Sequence, residues 1–270
     1  MANTEPVHFF DITSKLPGPL KSWSPNTLKT RLVLNYKGIP YTQSFISYPD
    51  IASLLKSLNV PPLAEAVMPY TLPAIVHKAS VTANPNGAMN DSLPIALHLD
   101  KTFPAPQYPP LFPSGDASYA LALAVAKIIS NVVGKGIPIL MPKVADILDE
   151  RGSKYFHETR SKIFGKPLAE LLPQSEEAAE SVWNDMKKEL NVLADMLKGK
   201  PGKEGPFFEG TKPGYADLQL VAYLAWFERT DKGLWEKVMD LDDAFKRLYE
   251  ASLPWVNGQG EEKEWPVASL

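Results

Sequence analysis

The stretch Ser22-Trp23-Ser24-Pro25-Asn26-Thr27-Leu28-Lys29-Thr30-Arg31-Leu32-Val33-Leu34-Asn35-Tyr36-Lys37-Gly38 decides the fold. Ser24 is a favourable N-cap residue, and Pro25 suits the first helical position because an N–H there would be unsatisfied in any case. Apolar residues recur at helical spacing from Leu28 to Tyr36, and Gly38 is a favourable C-cap. The pattern predicts one amphipathic helix whose positive N-terminal end, at Ser24, attracts anions.

The Ser24 hydroxyl has two alternative roles. It can simply cap the helix by accepting a bond from a first-turn N–H, which explains a serine there completely. Alternatively, it donates a hydrogen bond to a bound anionic sulfur. The second role requires a strand that leads into the loop before Ser24, and the β-rich run Val7–Ile12 supplies one.

Composition limits the class of protein. A chain of 270 residues with 44% hydrophobic and 22% charged residues is typical of a soluble globular protein with one large domain or two ordinary ones. A net charge of −3 gives no basic footprint for nucleic acid. The first residues show no secretory pattern, so we expect a cytoplasmic protein. Polar residues and Pro138 interrupt the most apolar window, Tyr119–Met141, which favours a buried helix over a membrane span.

The absence of cysteine restricts the chemistry. With no Cys, the chain has no disulfide, no cysteine metal ligand and no cysteine nucleophile, so any thiol must come from a ligand. The four histidines (His8, His77, His98 and His157) are scattered along the chain. We therefore expect no metal.

The first hundred residues alternate strand and helix. Strand patterns at Val7–Ile12 and Tyr41–Ser47 flank the helix, and one or two helical turns follow at Asp50–Leu58. Tyr70–His77 is a further strand-like run, and the polar segment Lys78–Ala88 has the composition of a loop or hairpin.

Two more pairs carry chemistry. Leu72-Pro73 is either an ordinary trans pair at a strand start or a cis pair that turns the Leu72 backbone toward a peptide-like ligand. Asp91 and Ser92 precede a helix that runs to Asp100. They either cap this helix or bind the ammonium and carboxylate groups of an amino acid.

In this order, Ser24-Pro25, Leu72-Pro73 and Asp91-Ser92 resemble the glutathione transferase family over nearly the whole chain. Ser22–Thr27, Tyr48–Ile51 and Tyr70–Pro73 are more narrowly similar to its fungal-specific class A, which is related to bacterial β-etherases. The resemblance implies an α/β thioredoxin-like domain followed by an all-α domain. It implies a homodimer, with glutathione as co-substrate.

The resemblance also implies residue roles. Ser24 stabilises the glutathione thiolate, Leu72 and Pro73 align the peptide, and Asp91 and Ser92 hold its γ-glutamyl end. Asn26 is expected beside them for a different reason: it is polar and close to Ser24 in sequence, so its amide can supply a second donor. Aromatic electrophiles, including wood-derived compounds, are expected between the domains, with Trp23 and residues of the first long helix as candidates for the hydrophobic site. Core packing is the alternative role of Trp23. A ligandin-type carrier of aromatic compounds is the alternative function, and a non-enzymatic interaction domain is a third.

The remainder of the chain is helix-patterned. We predict a glutathione-binding domain at residues 1–102, a proline-rich linker, a helical domain at 113–256 and a tail at 257–270 that either is exposed or packs on the surface. Pro138 and Pro142 are expected to bracket a helix break. Asp217 is expected to cap a helix, with Gly214 replacing the usual Ser or Thr of a capping box.

Overall fold

A computed structural model describes residues 5–64 and 67–267. Its strands and helices follow one another in the order β1 (Val7–Ile12), α1 (Pro25–Lys37), β2 (Tyr41–Ile46), α2 (Ile51–Ser57), β3 (Ala74–Val76), β4 (Ala88–Asn90), α3 (Ser92–Thr102), α4 (Asp116–Ile147), α5 (Glu150–Phe164), α6 (Glu176–Lys198), α7 (Tyr215–Thr230), α8 (Lys232–Met239), α9 (Asp243–Asn257) and β5 (Glu261–Glu262). The predicted fold class, an α/β domain followed by helices, is confirmed.

The five strands form one sheet in the order β4-β3-β1-β2-β5. β1 and β2 are parallel, and α1 is the crossover helix that such a pair requires. β3 pairs antiparallel with β1, and β4 pairs antiparallel with β3. All six residues of β1 are buried because the strand lies in the middle of the sheet.

The chain divides into two compact units. The first contains residues 1–110 together with 255–270, and the second contains residues 111–254. The described tail residues therefore belong with the sheet, where β5 pairs parallel with β2 at Thr42 and Gln43. Of the two alternatives for the tail, packing on the surface is the one observed. The sequence patterns predicted neither β4 nor β5.

The predicted helix break at Pro138 and Pro142 is wrong, because α4 runs through both prolines. Proline costs an interior hydrogen bond, but tertiary packing offsets this cost. The backbone of α4 lies very close to α6 at Gly136, where an added Cβ would be 2.8 Å from the Met186 sulfur. Among the described residues, α4 is also the one helix that is long and apolar enough to cross a membrane. It packs against α6 and α7.

Candidate functional site

The three predicted site segments meet at one edge of the sheet. The loop that carries Ser24 follows the carboxyl end of β1. β3 is antiparallel, so its first residue, Ala74, lies opposite Phe10 near that same end of β1. β4 finishes beside it, with Asn90 opposite Ala74. Because neighbouring strands lie about 4.8 Å apart, two strand spacings, roughly 10 Å, separate β1 from β4.

Ser24 occupies the N-cap position of α1, as predicted, but its side chain makes no capping hydrogen bond. Its backbone carbonyl accepts from the Leu28 N–H at 2.8 Å and from the Thr27 hydroxyl at 3.1 Å. Ser24 is only 4% exposed. Capping therefore does not account for the hydroxyl, which stays able to donate to a ligand.

A buried ion pair holds the loop that leads into Ser24. The Ser22 hydroxyl donates to Asp11 Oδ2 at 2.5 Å, and Arg31 Nε donates to the same hydroxyl oxygen at 2.9 Å. Arg31 Nη2 lies 2.8 Å from Asp11 Oδ2, and both side chains are completely buried. One carboxylate on β1 and one guanidinium on α1 thus fix the residue two positions before Ser24.

Leu72 and Pro73 lie directly before β3, and the peptide bond between them is cis. Leu72 is 2% exposed. The Asp91 N–H donates to the Pro73 carbonyl at 3.2 Å. A backbone hydrogen bond thus joins the Leu72-Pro73 pair to the Asp91-Ser92 pair.

Asp91 is exposed and occupies the N-cap position of α3, yet its side chain makes no capping bond. Its φ is +74°, a left-handed conformation that is unusual for a residue other than glycine. Such conformations cost about 1–3 kcal/mol and cluster at ligand-binding positions. Ser92, the first residue of α3, is 6% exposed. The capping explanation therefore fails for the Asp91 carboxylate.

Lys29 belongs to the same region, although the sequence patterns did not single it out. Burial lowers the pKa of Lys29 to about 8, and the Asp91 carboxylate opposes this shift. Lys29 follows Ser24 by five residues, about 7.5 Å along a helix axis. The sequence does show a lysine between the apolar positions of α1, which could have marked Lys29 as unusual. Its proximity to Asp91, however, arises only in the folded chain.

The remaining two predicted residues differ in their surroundings. Asn26, the second residue of α1, is exposed. Trp23 is 2% exposed, donates from Nε1 to the Thr13 carbonyl at 3.2 Å and lies 6.3 Å from the Tyr48 ring. These contacts favour core packing as the role of Trp23.

Comparison with known proteins agrees with this geometry. Residues 23–102 match the glutathione S-transferase N-terminal domain, and residues 120–255 match the glutathione S-transferase C-terminal domain. The chain belongs to the glutathione S-transferase family.

Relatives within this family come from several fungi. The glutathione S-transferase-like protein ustS of Aspergillus flavus is 56% identical, over 100% of this chain and 99% of its own. Glutathione transferase GSTFuA3 of Phanerochaete chrysosporium is 28% identical, with a TM-score of 0.80 over 94% of this chain and 98% of its own. A glutathione S-transferase of Ceriporiopsis subvermispora, solved in complex with glutathione, is 31% identical, with a TM-score of 0.77 over 93% and 96%.

Proposed function

We propose that this chain binds glutathione at the edge formed by β1, β3 and β4 and joins its thiolate sulfur to an electrophilic carbon of hydrophobic aromatic compounds, from which a halide or phenolate leaves. The observation that carries the proposal is the convergence of Ser24, Leu72-Pro73 and Asp91-Ser92 there, with neither the Ser24 nor the Asp91 side chain used for capping. Family membership and the glutathione complex of the Ceriporiopsis relative support it.

Activation of the thiol falls to Ser24 and the start of α1. A free thiol has a pKa of about 8.5, so only a few per cent is ionised at pH 7. A hydrogen bond donated by the Ser24 hydroxyl favours the thiolate. Pro25 has no N–H, and the Leu28 N–H donates to the Ser24 carbonyl. The N–H groups of Asn26 and Thr27 are therefore the first-turn donors that face a ligand at the positive end of the helix.

Positioning of the peptide falls to the other two segments. In the proposed complex, the Leu72 backbone pairs with the cysteinyl part of glutathione, as an edge strand does. The Asp91 carboxylate binds the γ-glutamyl ammonium, and the Ser92 hydroxyl and N–H bind its carboxylate. Lys29 adds a cation beside Asp91, because a pKa of about 8 leaves it mostly protonated at pH 7.

Calorimetry with glutathione, followed by turnover of aromatic halides and β-aryl ethers, tests the proposal. We expect Ser24→Ala to retain glutathione affinity within about threefold. A hydrogen bond to a charged group is worth about 1.5–3 kcal/mol, so kcat/KM should fall about ten- to a hundredfold. The ultraviolet absorbance of bound thiolate should titrate at higher pH in this variant. Asp91→Asn should instead weaken binding.

Ser57→Ala is the matched control, because the Ser57 hydroxyl donates to the Leu54 carbonyl within α2. It should behave as the parent protein. Wild-type turnover in Ser24→Ala would refute the proposed role. Glutathione binding without turnover, together with tight uptake of aromatic compounds, would instead favour the ligandin-type carrier. Absence of binding at millimolar glutathione would favour the interaction domain.

Homodimerisation and a cytoplasmic location remain part of the proposal. In an apolar 18-residue window of α4, 28% of the residues are buried within the chain. Leu123, on this helix, is 46% exposed. An apolar helix with a partly uncovered face supports a second copy as its partner.

A further inference from the structure

A cavity of about 510 Å³ lies between the segment 59–61 and the loop after β3. Ser80, Val81 and Met89 line it, together with His98 of α3. Its volume is within the roughly 300–1,000 Å³ of small-molecule sites. Among the described residues that line it, none is Ser24, Leu72 or Asp91, so it is separate from the proposed glutathione site.

The loop that walls this cavity is braced. Asn84 Nδ2 donates to the carbonyls of Leu58 and Asn59 at 3.1 and 3.0 Å, and Asn84 Oδ1 accepts from the Asn86 N–H at 2.7 Å. Gly87 has a φ of +68°, and an added Cβ would lie 2.6 Å from the Lys78 Cα. The loop therefore forms a fixed wall, which lowers the ordering cost of binding a ligand.

Ser80 bridges two histidines at the wall of the cavity. Its Oγ lies 2.5 Å from His77 Nδ1 and 2.8 Å from His98 Nε2. A hydroxyl has one donor and two acceptor lone pairs. When the hydroxyl donates to one imidazole and accepts from the other, one lone pair is left. That lone pair can accept a hydrogen bond from a ligand but cannot donate one.

The cavity also lacks formal charge. Among the described residues that line it, none is Asp, Glu, Lys or Arg. Burial, His77 and Lys101 lower the pKa of His98, which keeps its imidazole neutral at neutral pH. The polar groups of this uncharged cavity include the free lone pair of Ser80 and the buried Nδ2 of Asn90, which has no hydrogen-bond partner among the described residues. Because no formal charge lines the cavity, the desolvation of an ionic ligand would not be compensated, which disfavours such ligands.

We propose that this cavity binds a neutral, largely apolar phenol or alcohol whose hydroxyl donates to Ser80 Oγ. The ligand enters independently of glutathione.

Photolabelling of the full chain with three probes of one shape tests this. The probes are 3-hydroxybenzophenone, 3-methoxybenzophenone, which has no donor, and 3-benzoylbenzoate, which is charged. Mass spectrometry of tryptic peptides should place the 3-hydroxybenzophenone label in residues 79–101, which include Met89. One neutral hydrogen bond should give the hydroxy probe a half-saturating concentration about fivefold below that of the methoxy probe. The benzoate should label least.

Ser80→Ala should abolish the preference for the hydroxy probe, whereas the control Thr82→Val, on the same wall, should retain it. Saturating glutathione should displace no label. Equal labelling by all three probes, labelling outside the tryptic peptides 57–78 and 79–101 that line the cavity, or displacement by glutathione would overturn the proposal. If Ser80→Ala does not fold, the ratio of the half-saturating concentrations of the hydroxy and methoxy probes on the parent chain still tests the proposal. A chain that binds the hydroxy probe but not glutathione would refute the transferase function alone.

Discussion

Arg31 is the residue on which the geometry around Ser24 depends. Its side chain is fully buried and donates to five partners, which are Asp11, Ser22, Tyr41, Gln43 and Gln259. Replacing one member of a buried ion pair leaves an uncompensated charge, here that of Asp11, which costs about 3–5 kcal/mol. We expect Arg31→Met to lower the free energy of unfolding by this amount, measured by urea denaturation.

Lys188→Met is the control for Arg31→Met. The Lys188 side chain is 72% exposed in its ion pair with Asp185, and this change should leave the unfolding midpoint almost unaltered. If the two variants unfolded at the same urea concentration, the buried network would not have the stabilising role assigned to it.

Local motifs revealed some site residues and not others. Ser24 and Ser92 could be predicted because each stands at a helix start that neighbouring residues define. Lys29 and Arg31 could not, since their surroundings come from residues distant in sequence, Asp91 and Gln259. The left-handed conformation of Asp91 was equally invisible, because no glycine marks it.

The tail strand β5 completes the Arg31 network. The Gly260 N–H donates to Gln43 Oε1 at 3.1 Å, and the Lys263 N–H donates to the Gln43 carbonyl at 2.8 Å. An added Cβ at Gly260 would be 2.5 Å from the Tyr41 ring, so Gly260→Ala must displace the tail. Overpacking of this kind costs about 1–3 kcal/mol, and the uncovered β2 edge should promote self-association.

Urea denaturation and sedimentation velocity measure both effects of Gly260→Ala. Gly233→Ala is the matched control, because in α8 its Cβ would meet only Asp231 Oδ1, at an ordinary contact distance of 3.5 Å, and alanine favours a helix. Unchanged stability and unchanged sedimentation in Gly260→Ala would contradict a structural role for the tail.

Elements differed in how well patterns predicted them. In α6, Trp183, Met186 and Leu190 recur at helical spacing and are all buried, so a pattern repeated over twenty-three residues marks the buried face of this helix. β4 and β5 have three and two residues. β3 is equally short but lies within the apolar run Tyr70–His77. β4 and β5 lie in polar surroundings with no such run to detect, and they exist because a neighbouring strand offers backbone partners. The helix break predicted at Pro138 and Pro142 was wrong for a related reason, because tertiary packing overrides the local propensity of proline to end a helix.

Across the whole molecule, the order of the motifs predicted more than any motif alone. The α/β unit and the helical unit follow from that order, and both family domains match. The tail did not follow from it, because residues 255–270 return to the first unit after 144 residues of the second. All the residues proposed to bind glutathione belong to the first unit. A substitution in the second unit should therefore change the stability of the protein without changing its affinity for glutathione.

Asp217 of the second unit tests this separation. Its Oδ1 accepts from the Phe208 N–H and its Oδ2 from the Gly214 N–H, both at 2.8 Å, and it is 1% exposed. Asp217→Ala removes both bonds, so we expect it to lower the free energy of unfolding by about 1–3 kcal/mol. Calorimetry on the folded fraction should give unchanged glutathione affinity. Weaker binding at an unchanged melting temperature would contradict the structural role.

The same carboxyl gives stability a pH dependence of known sign. Burial, aided by Glu209, raises the pKa of Asp217 to about 7, and the two N–H donors and Lys203 oppose this. The unfolded chain releases the proton near pH 4, so between about pH 4 and 7 the folded state holds more protons than the unfolded state. The part of the stability that is linked to this proton is thus complete below pH 4 and is lost as pH rises to 7, by at most about 1.4 kcal/mol per pH unit. Asp217→Asn has no such proton, so its urea-denaturation series over this range should lack that fall; parallel curves for the two proteins would refute the raised pKa.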